Sequence, residues 1–255
     1  MSKTSDKKQV IISKATAKRL IKDIKELKKE PLTGIHYIHN ETNILKGQAM
    51  IIGPDDTPYH GGYYLFKFSF PEDYPHSPPK LTFCTNDGYT RMHPNMYKNG
   101  KVCLSLLNSW QGEDTTDAWT GCQTISSVLL TIRSIMTNGP LQHEPGCSEN
   151  HRDYFKYSEI VRFRNIGLSI HDILNNSSFA QVFPELLTIA KKDFIDNFEN
   201  KLSALFKAIE AWNKKHDSVI VENGKVYTSM YNMYCEISYD GLEYKLIELQ
   251  NNLKK

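Results

Sequence analysis

A thiol becomes a useful nucleophile only where the chain holds it still and offers the charge that develops during attack a place to go. One stretch of this sequence carries parts for both. In HPNMYKNGKVCLSLL, His93-Pro94-Asn95 leads towards Cys103, with Asn95 eight residues ahead of it and Asn99-Gly100 between them. Asn-Gly favours positive φ and so a tight turn, and the proline restricts His93 to extended backbone. Residues 101–107 form a short apolar run that periodicity assigns neither to a helix nor to a strand. Asn95 can bring an amide donor close to the thiol. A thiol beside a neutral donor suits acyl chemistry: attack on a thioester carbonyl puts negative charge on its oxygen, and a preorganised amide stabilises that charge without itself titrating. A cysteine hydrolase would also need a general base, and His93 is the nearest candidate. Cys84, Cys122, Cys147 and Cys235 lack any such frame and read as small hydrophobes.

The elements that must position this stretch can be followed along the chain. Ser13 or Thr16 can cap a helix with Leu20, Ile24 and Leu27 at helical spacing, widened by Ile21 and ended by Pro31. Lys18, Arg19, Lys22 and Lys25 share its polar side, which charge pattern alone makes a solvated face. Strands follow at 34–39, 44–52 and 63–70; in the last, Tyr64, Phe66, Phe68 and Phe70 alternate with Leu65, Lys67 and Ser69, the period of a half-buried antiparallel strand. Pro75, Pro78 and Pro79 make a rigid surface loop before a short strand at 80–83. Ile125, Val128, Leu129, Ile132, Ile135 and Met136 mark a core helix that Gly139-Pro140 ends, and a third helix is expected over 152–175. Strands followed by helices give an α+β layer fold.

After the polar break 175–178 the character of the sequence changes. Ile195, Phe198, Leu202, Leu205, Ile209 and Trp212 step by three and four, so one long helix is expected from near Pro184, with its stripe buried against the preceding domain. Residues 218–228 read as a hairpin around Asn223-Gly224, and 242–253 as a final helix.

Taken together, HPNxYxxGxxCLSLL, Trp119, TISSVLLTI and the upstream GPDDTPYHGGYYLFKFSFPEDYPHSPPKLTF resemble the active-site signature, sheet and Pro-Pro loop of the ubiquitin-conjugating enzymes, over residues 14–175. Trp110, the insertion before Trp119 and the NGPLQHEPG segment at 138–146 are most similar to the larger Z-type branch of that family. The resemblance implies a UBC fold: a four-stranded antiparallel meander with flanking helices. Residues 1–13 would then be a flexible segment, 14–175 the catalytic domain and 176–255 a mainly helical extension packed on it. It also implies that Cys103 accepts ubiquitin or a similar modifier as a thioester from an activating enzyme and yields it to a lysine. Asn95 would bind the oxyanion or hold the loop that does, with His93, Pro94, Ser105 and Trp119 supporting the site. His93 would brace the loop and not act as a base. Ser105 stands where many relatives carry an acidic gate residue, and Glu113, Asp114, Asp117 and Glu144 are candidate acids for the incoming amine. Lys18, Arg19 and Lys22 would dock on the activating enzyme. His76, Pro78, Thr120 and Gly121 would face a ligase, although relatives usually place a bulky apolar residue at His76 and a Ser-Pro pair at Thr120-Gly121. A catalytically inactive binding module of the same fold would have lost its cysteine, and Cys103 is present.

Composition narrows the partners. The 255 residues are 40% hydrophobic and 24% charged, with 31 Lys and Arg against 29 Asp and Glu. A net charge of +2 gives no broad field for nucleic acid or anionic lipid. Five scattered cysteines without a CxxC pair argue against a disulfide scaffold or structural zinc, and no metal constellation or phosphate loop occurs. No bound cofactor is expected, ATP being consumed by the activating enzyme. The polar start lacks the apolar run of a signal peptide, so a cytoplasmic or nuclear monomer is expected, meeting modifier, activating enzyme, ligase and protein substrate.

Overall fold

The computed structural model describes residues 12–109, 118–215 and 225–255. Helix α1 (Lys14–Lys29) starts where Ser13 Oγ accepts the Thr16 N–H, and Lys28 and Lys29 complement the dipole of its last turn. Strands β1 (Ile35–His39), β2 (Lys46–Ile52), β3 (Tyr63–Ser69) and β4 (Lys80–Phe83) then form an antiparallel sheet in sequence order. Register places Ile51 beside Tyr64, Ala49 beside Phe66, and Phe66 beside Phe83. These inner-face side chains share one core with Leu20 of α1 and with Ile125, Val128, Leu129 and Ile132 of α2 (Ile125–Ile135). A reciprocal capping box of Thr124 and Ser127 fixes the start of α2.

The alternation in β3 predicted one solvated face, yet both faces are largely buried and Lys67 is the strand's exposed residue. The C-terminal helices are the reason. Helix α3 (Tyr154–Arg164) runs on through a π-helical stretch, Asn165–Asp172, into the single turn α4 (Ile173–Asn175). Asn165 there accepts from the Tyr64 hydroxyl and donates to His60 O, and any Cβ at Gly62 would collide with its amide. Then come α5 (Ser177–Val182), α6 (Pro184–Asp196) and α7 (Phe198–Lys215). Helix α6 lies against β1, Val182 O accepts from Gln48, and the Tyr63 hydroxyl donates to Asp193, so Met50, Tyr63 and Leu65 are fully buried on the outer face.

The single helix expected from Pro184 is two, because the chain leaves helical geometry at Asn197. The break brings Phe194 into the core and leaves Ile195 half-buried, while Phe198, Leu205 and Trp212 are buried as the stripe predicts. Asn223-Gly224 lies outside the described residues. Further on, β5 (Val226–Thr228) and β6 (Met233–Cys235) form a hairpin turning at Tyr231 and Asn232, both with positive φ. Helix α8 (Leu242–Leu253) ends the fold. Among the described residues, no helix is long and apolar enough to cross a membrane.

Candidate active site

Asn99 and Gly100 make the turn that delivers the cysteine. Gly100 has φ +84°, its N–H donates to Tyr97 O, and its carbonyl accepts from Phe83 at the end of β4. A Cβ at position 100 would lie 2.8 Å from Phe83 O, so the loop approaches the sheet as closely as only glycine permits. Beyond the turn, Cys103 and Asn95 clasp each other. Cys103 N–H donates to Asn95 O at 2.9 Å, and Asn95 Nδ2 donates to Cys103 O at 2.7 Å. Of the two roles expected of Asn95, this geometry displays the holding of the loop, and Nδ2 keeps a second hydrogen for an acyl oxygen.

Ser105 opens a 3-10 turn, Ser105–Leu107, and its carbonyl accepts from Asn108, whose left-handed backbone reverses the chain. Ser109 then folds back: its Oγ accepts from Leu104 N–H and donates to Leu104 O, and its carbonyl accepts from Cys103 Sγ at 2.9 Å. Cys103 is consequently only 4% exposed. Asn108 Oδ1 accepts from Trp119 N–H, and Trp119 Nε1 donates to Pro75 O, which ties the cysteine loop to the Pro-rich loop. Sequence reasoning singled out neither Asn108 nor Ser109; an asparagine after a short apolar run, a residue tolerant of left-handed backbone, was the available signal.

His93 is fully buried. Nδ1 accepts from Asn95 N–H at 3.0 Å and Nε2 faces Ile135 O at 3.0 Å, which assigns the neutral Nε2–H tautomer. Burial, reinforced by neighbouring His143 and Arg91, pushes its pKa down to about 3. With both nitrogens occupied it cannot serve as a general base, and the hydrolase reading loses its nearest candidate. Arg91 donates to the carbonyls of His93 and Pro94 and stacks on Tyr97, 3.4 Å from the ring centroid, and on Tyr231. Tyr231 belongs to the tail. It accepts from Lys98 and donates to Glu144, and Met233 Sδ accepts from Arg91 N–H. The tail therefore reaches the cysteine loop, a contact invisible in the sequence. Glu144 is engaged by that hydroxyl; Trp110, Glu113, Asp114 and Asp117 lie outside the described residues.

On α1, Lys18 and Lys22 are exposed, and Lys22 pairs with Glu26 at 3.6 Å. Arg19 departs from the expected polar face. Its Nε donates to buried Asp23 and its guanidinium to Gly121 O and Gln123 O, so it fastens α1 to the loop before α2. Ile21, assigned to the apolar stripe, is 45% exposed among the lysines. His76, Thr120 and Gly121 are exposed and Pro78 is half-buried. Among the described residues, no group of three His, Cys, Asp or Glu side chains is placed to hold a metal ion.

A meander sheet carrying a clasped cysteine at the exit of an Asn-Gly turn defines a class of protein. Residues 19–165 match the family model described as ubiquitin-conjugating enzyme, and the chain belongs to that family. It is 38% identical over 185 residues to human "Ubiquitin-conjugating enzyme E2 Z", covering 71% of this chain and 50% of that protein. The Xenopus tropicalis protein of the same name is 37% identical over 184 residues, covering 71% and 57%. "Probable ubiquitin-conjugating enzyme E2 R521" of Acanthamoeba polyphaga mimivirus is 27% identical over 229 residues, 86% of this chain and 15% of that one. The chain thus spans between 50% and 57% of the length of these two E2 Z relatives.

Proposed function

We propose that this protein accepts ubiquitin or a ubiquitin-like modifier from an activating enzyme as a thioester on Cys103, and passes it to a lysine amine or to a ligase cysteine. The reciprocal Asn95–Cys103 clasp carries this reading, because it fixes the sulfur using neutral partners alone. In the first step the thiolate attacks the incoming thioester, one carbon–sulfur bond replaces another, and the activating enzyme's thiolate leaves. In the second, an amine attacks, a carbon–nitrogen bond forms, Cys103 leaves as thiolate, and the amine's proton passes to solvent or a nearby carboxylate. With a lysine pKa of about 10.4, roughly 0.04% of the amine is free at pH 7. Since His93 cannot take that proton, desolvation of the arriving lysine and positioning must supply the rate, and effective molarity can be worth about 7–11 kcal/mol.

Lys18 and Lys22, with exposed Ile21 between them, suit a docking face for the activating enzyme, and His76, Pro78, Thr120 and Gly121 a ligase-facing rim. ATP is spent by the activating enzyme, and no cofactor is assigned to this chain, which works as a monomer. The five cysteines are free, which accords with a reducing compartment such as cytoplasm or nucleus. The test is a charging reaction with activating enzyme, ATP and ubiquitin on a non-reducing gel. A reducible adduct is expected, lost in Cys103→Ala and converted to a reductant-resistant ester in Cys103→Ser. An undiminished adduct in Cys103→Ala would sink the proposal.

A further inference from the structure

The tail does not cover the whole outer face of the sheet. Register sets Lys46, Ser69 and Lys80 in one row and Gln48, Lys67 and Thr82 in the next, with Thr82 bridging to Lys101. The covering helices stop at this boundary, where Val182 O meets Gln48 and the Phe183 ring lies under the Lys67 ammonium. Lys46, Lys67, Lys80 and Lys101 are all exposed. Among the described residues, Lys46, Lys67, Lys80 and Lys101 form no ion pair with a carboxylate. Strand spacing puts the backbones of Lys80 and Lys101 about 8 Å apart.

Beside those two lysines runs a groove of about 810 Å³. Pro78, Leu81, Val102 and Leu107 give it apolar walls, and it ends at Asn108 and Ser109, the residue whose carbonyl holds the Cys103 sulfur. We infer that this groove receives the protein segment bearing the acceptor lysine, and that Lys80 and Lys101 select segments with carboxylates next to that lysine. The inference rests on the transfer reaction proposed above and names its substrate class. A polypeptide fits both features of the groove, since its methylenes and apolar side chains cover the walls while its carboxylates meet the rim; a phosphate backbone would leave the walls unfilled. The rim also acts on the acceptor. Carboxylates paired with Lys80 and Lys101 hold the acceptor ammonium in its charged form less strongly than unpaired carboxylates would.

The test uses the full chain charged with ubiquitin, separated from activating enzyme, in single-turnover transfer to two peptides. Each has one lysine, flanked by Asp and Glu in one peptide and by Asn and Gln in the other. The acidic peptide is expected to react about 3- to 10-fold faster at low salt, a ratio that falls towards one as ionic strength rises. Lys80→Gln with Lys101→Gln should equalise the two peptides, and Lys80→Glu with Lys101→Glu should reverse their order. Equal rates in the unaltered protein, a preference that survives the double reversal, or a short DNA duplex that blocks both peptides would each overturn the inference while leaving the thioester reaction standing. Failure to form any thioester would remove the transfer reaction and this inference with it.

Discussion

Two neighbourhoods of this molecule keep polar groups out of water, and they use different chemistry. Around Cys103, apart from Arg91 on the His93 and Pro94 carbonyls, the partners are neutral and mostly main chain: Asn95 with Cys103, Ser109 with Leu104, and His93 with Ile135 O. Where α6 and α7 seat on the sheet, the partners are charged. Lys201, its side chain 3% exposed, lies 3.1 Å from Asp193 and donates to Gly61 O, while the Tyr63 hydroxyl donates to the same carboxylate. Burial lowers the Lys201 pKa and Asp193 opposes that shift. A neutral clasp keeps its geometry while nearby groups gain and lose protons, which suits a loop that must hold a reacting sulfur. A buried ion pair holds only while both partners are present, which suits a seat that need only stay closed.

The comparison can be broken hardest at the tail. Asp193→Asn leaves the Lys201 ammonium buried without its counter-charge and should cost about 3 kcal/mol in urea unfolding, whereas an apolar replacement of both partners should cost far less. On the neutral side, Asn95→Ala should still accept modifier but discharge to free lysine about 100-fold more slowly, measured in single turnover. Gly100→Ala, forced to positive φ against Phe83 O, should lose about 2 kcal/mol of stability by the same unfolding assay. The smallest effect is a pH dependence. An unfolded histidine binds a proton below about 6.5, whereas folded His93 does so only near 3, so stability present above 6.5 falls as pH drops through that window. Between pH 6.5 and 5.5 the loss from this group should be about 1 kcal/mol, and it should vanish in His93→Gln.

What the sequence disclosed is what neighbouring residues decide among themselves. The Asn99-Gly100 turn, the Ser13 cap, β4 and α8 are local, and each lies where its residues predicted. The clasp was half-legible: the spacing of Asn95 and Cys103 showed that they meet, but not that the amide binds the cysteine's own carbonyl. Arg19 and Lys201 were illegible because a basic residue on an amphipathic helix looks the same whether it meets solvent or a carbonyl that lies 102 or 140 residues away. Burial of the second face of β3 was hidden for the same reason, since alternation records a strand's periodicity and not what later arrives to cover it.

That late arrival has a consequence in time. Tyr63 and the Asp193 carboxylate that receives its hydroxyl are 130 residues apart. At about 5–20 residues per second, synthesis needs roughly 6–26 s to bring the second after the first. Throughout that interval the Met50, Tyr63 and Leu65 face of a nascent sheet has no helix to cover it. The sheet therefore spends its first seconds as an adhesive surface at the ribosome, and the tail ends that stage when α6 emerges and closes over it.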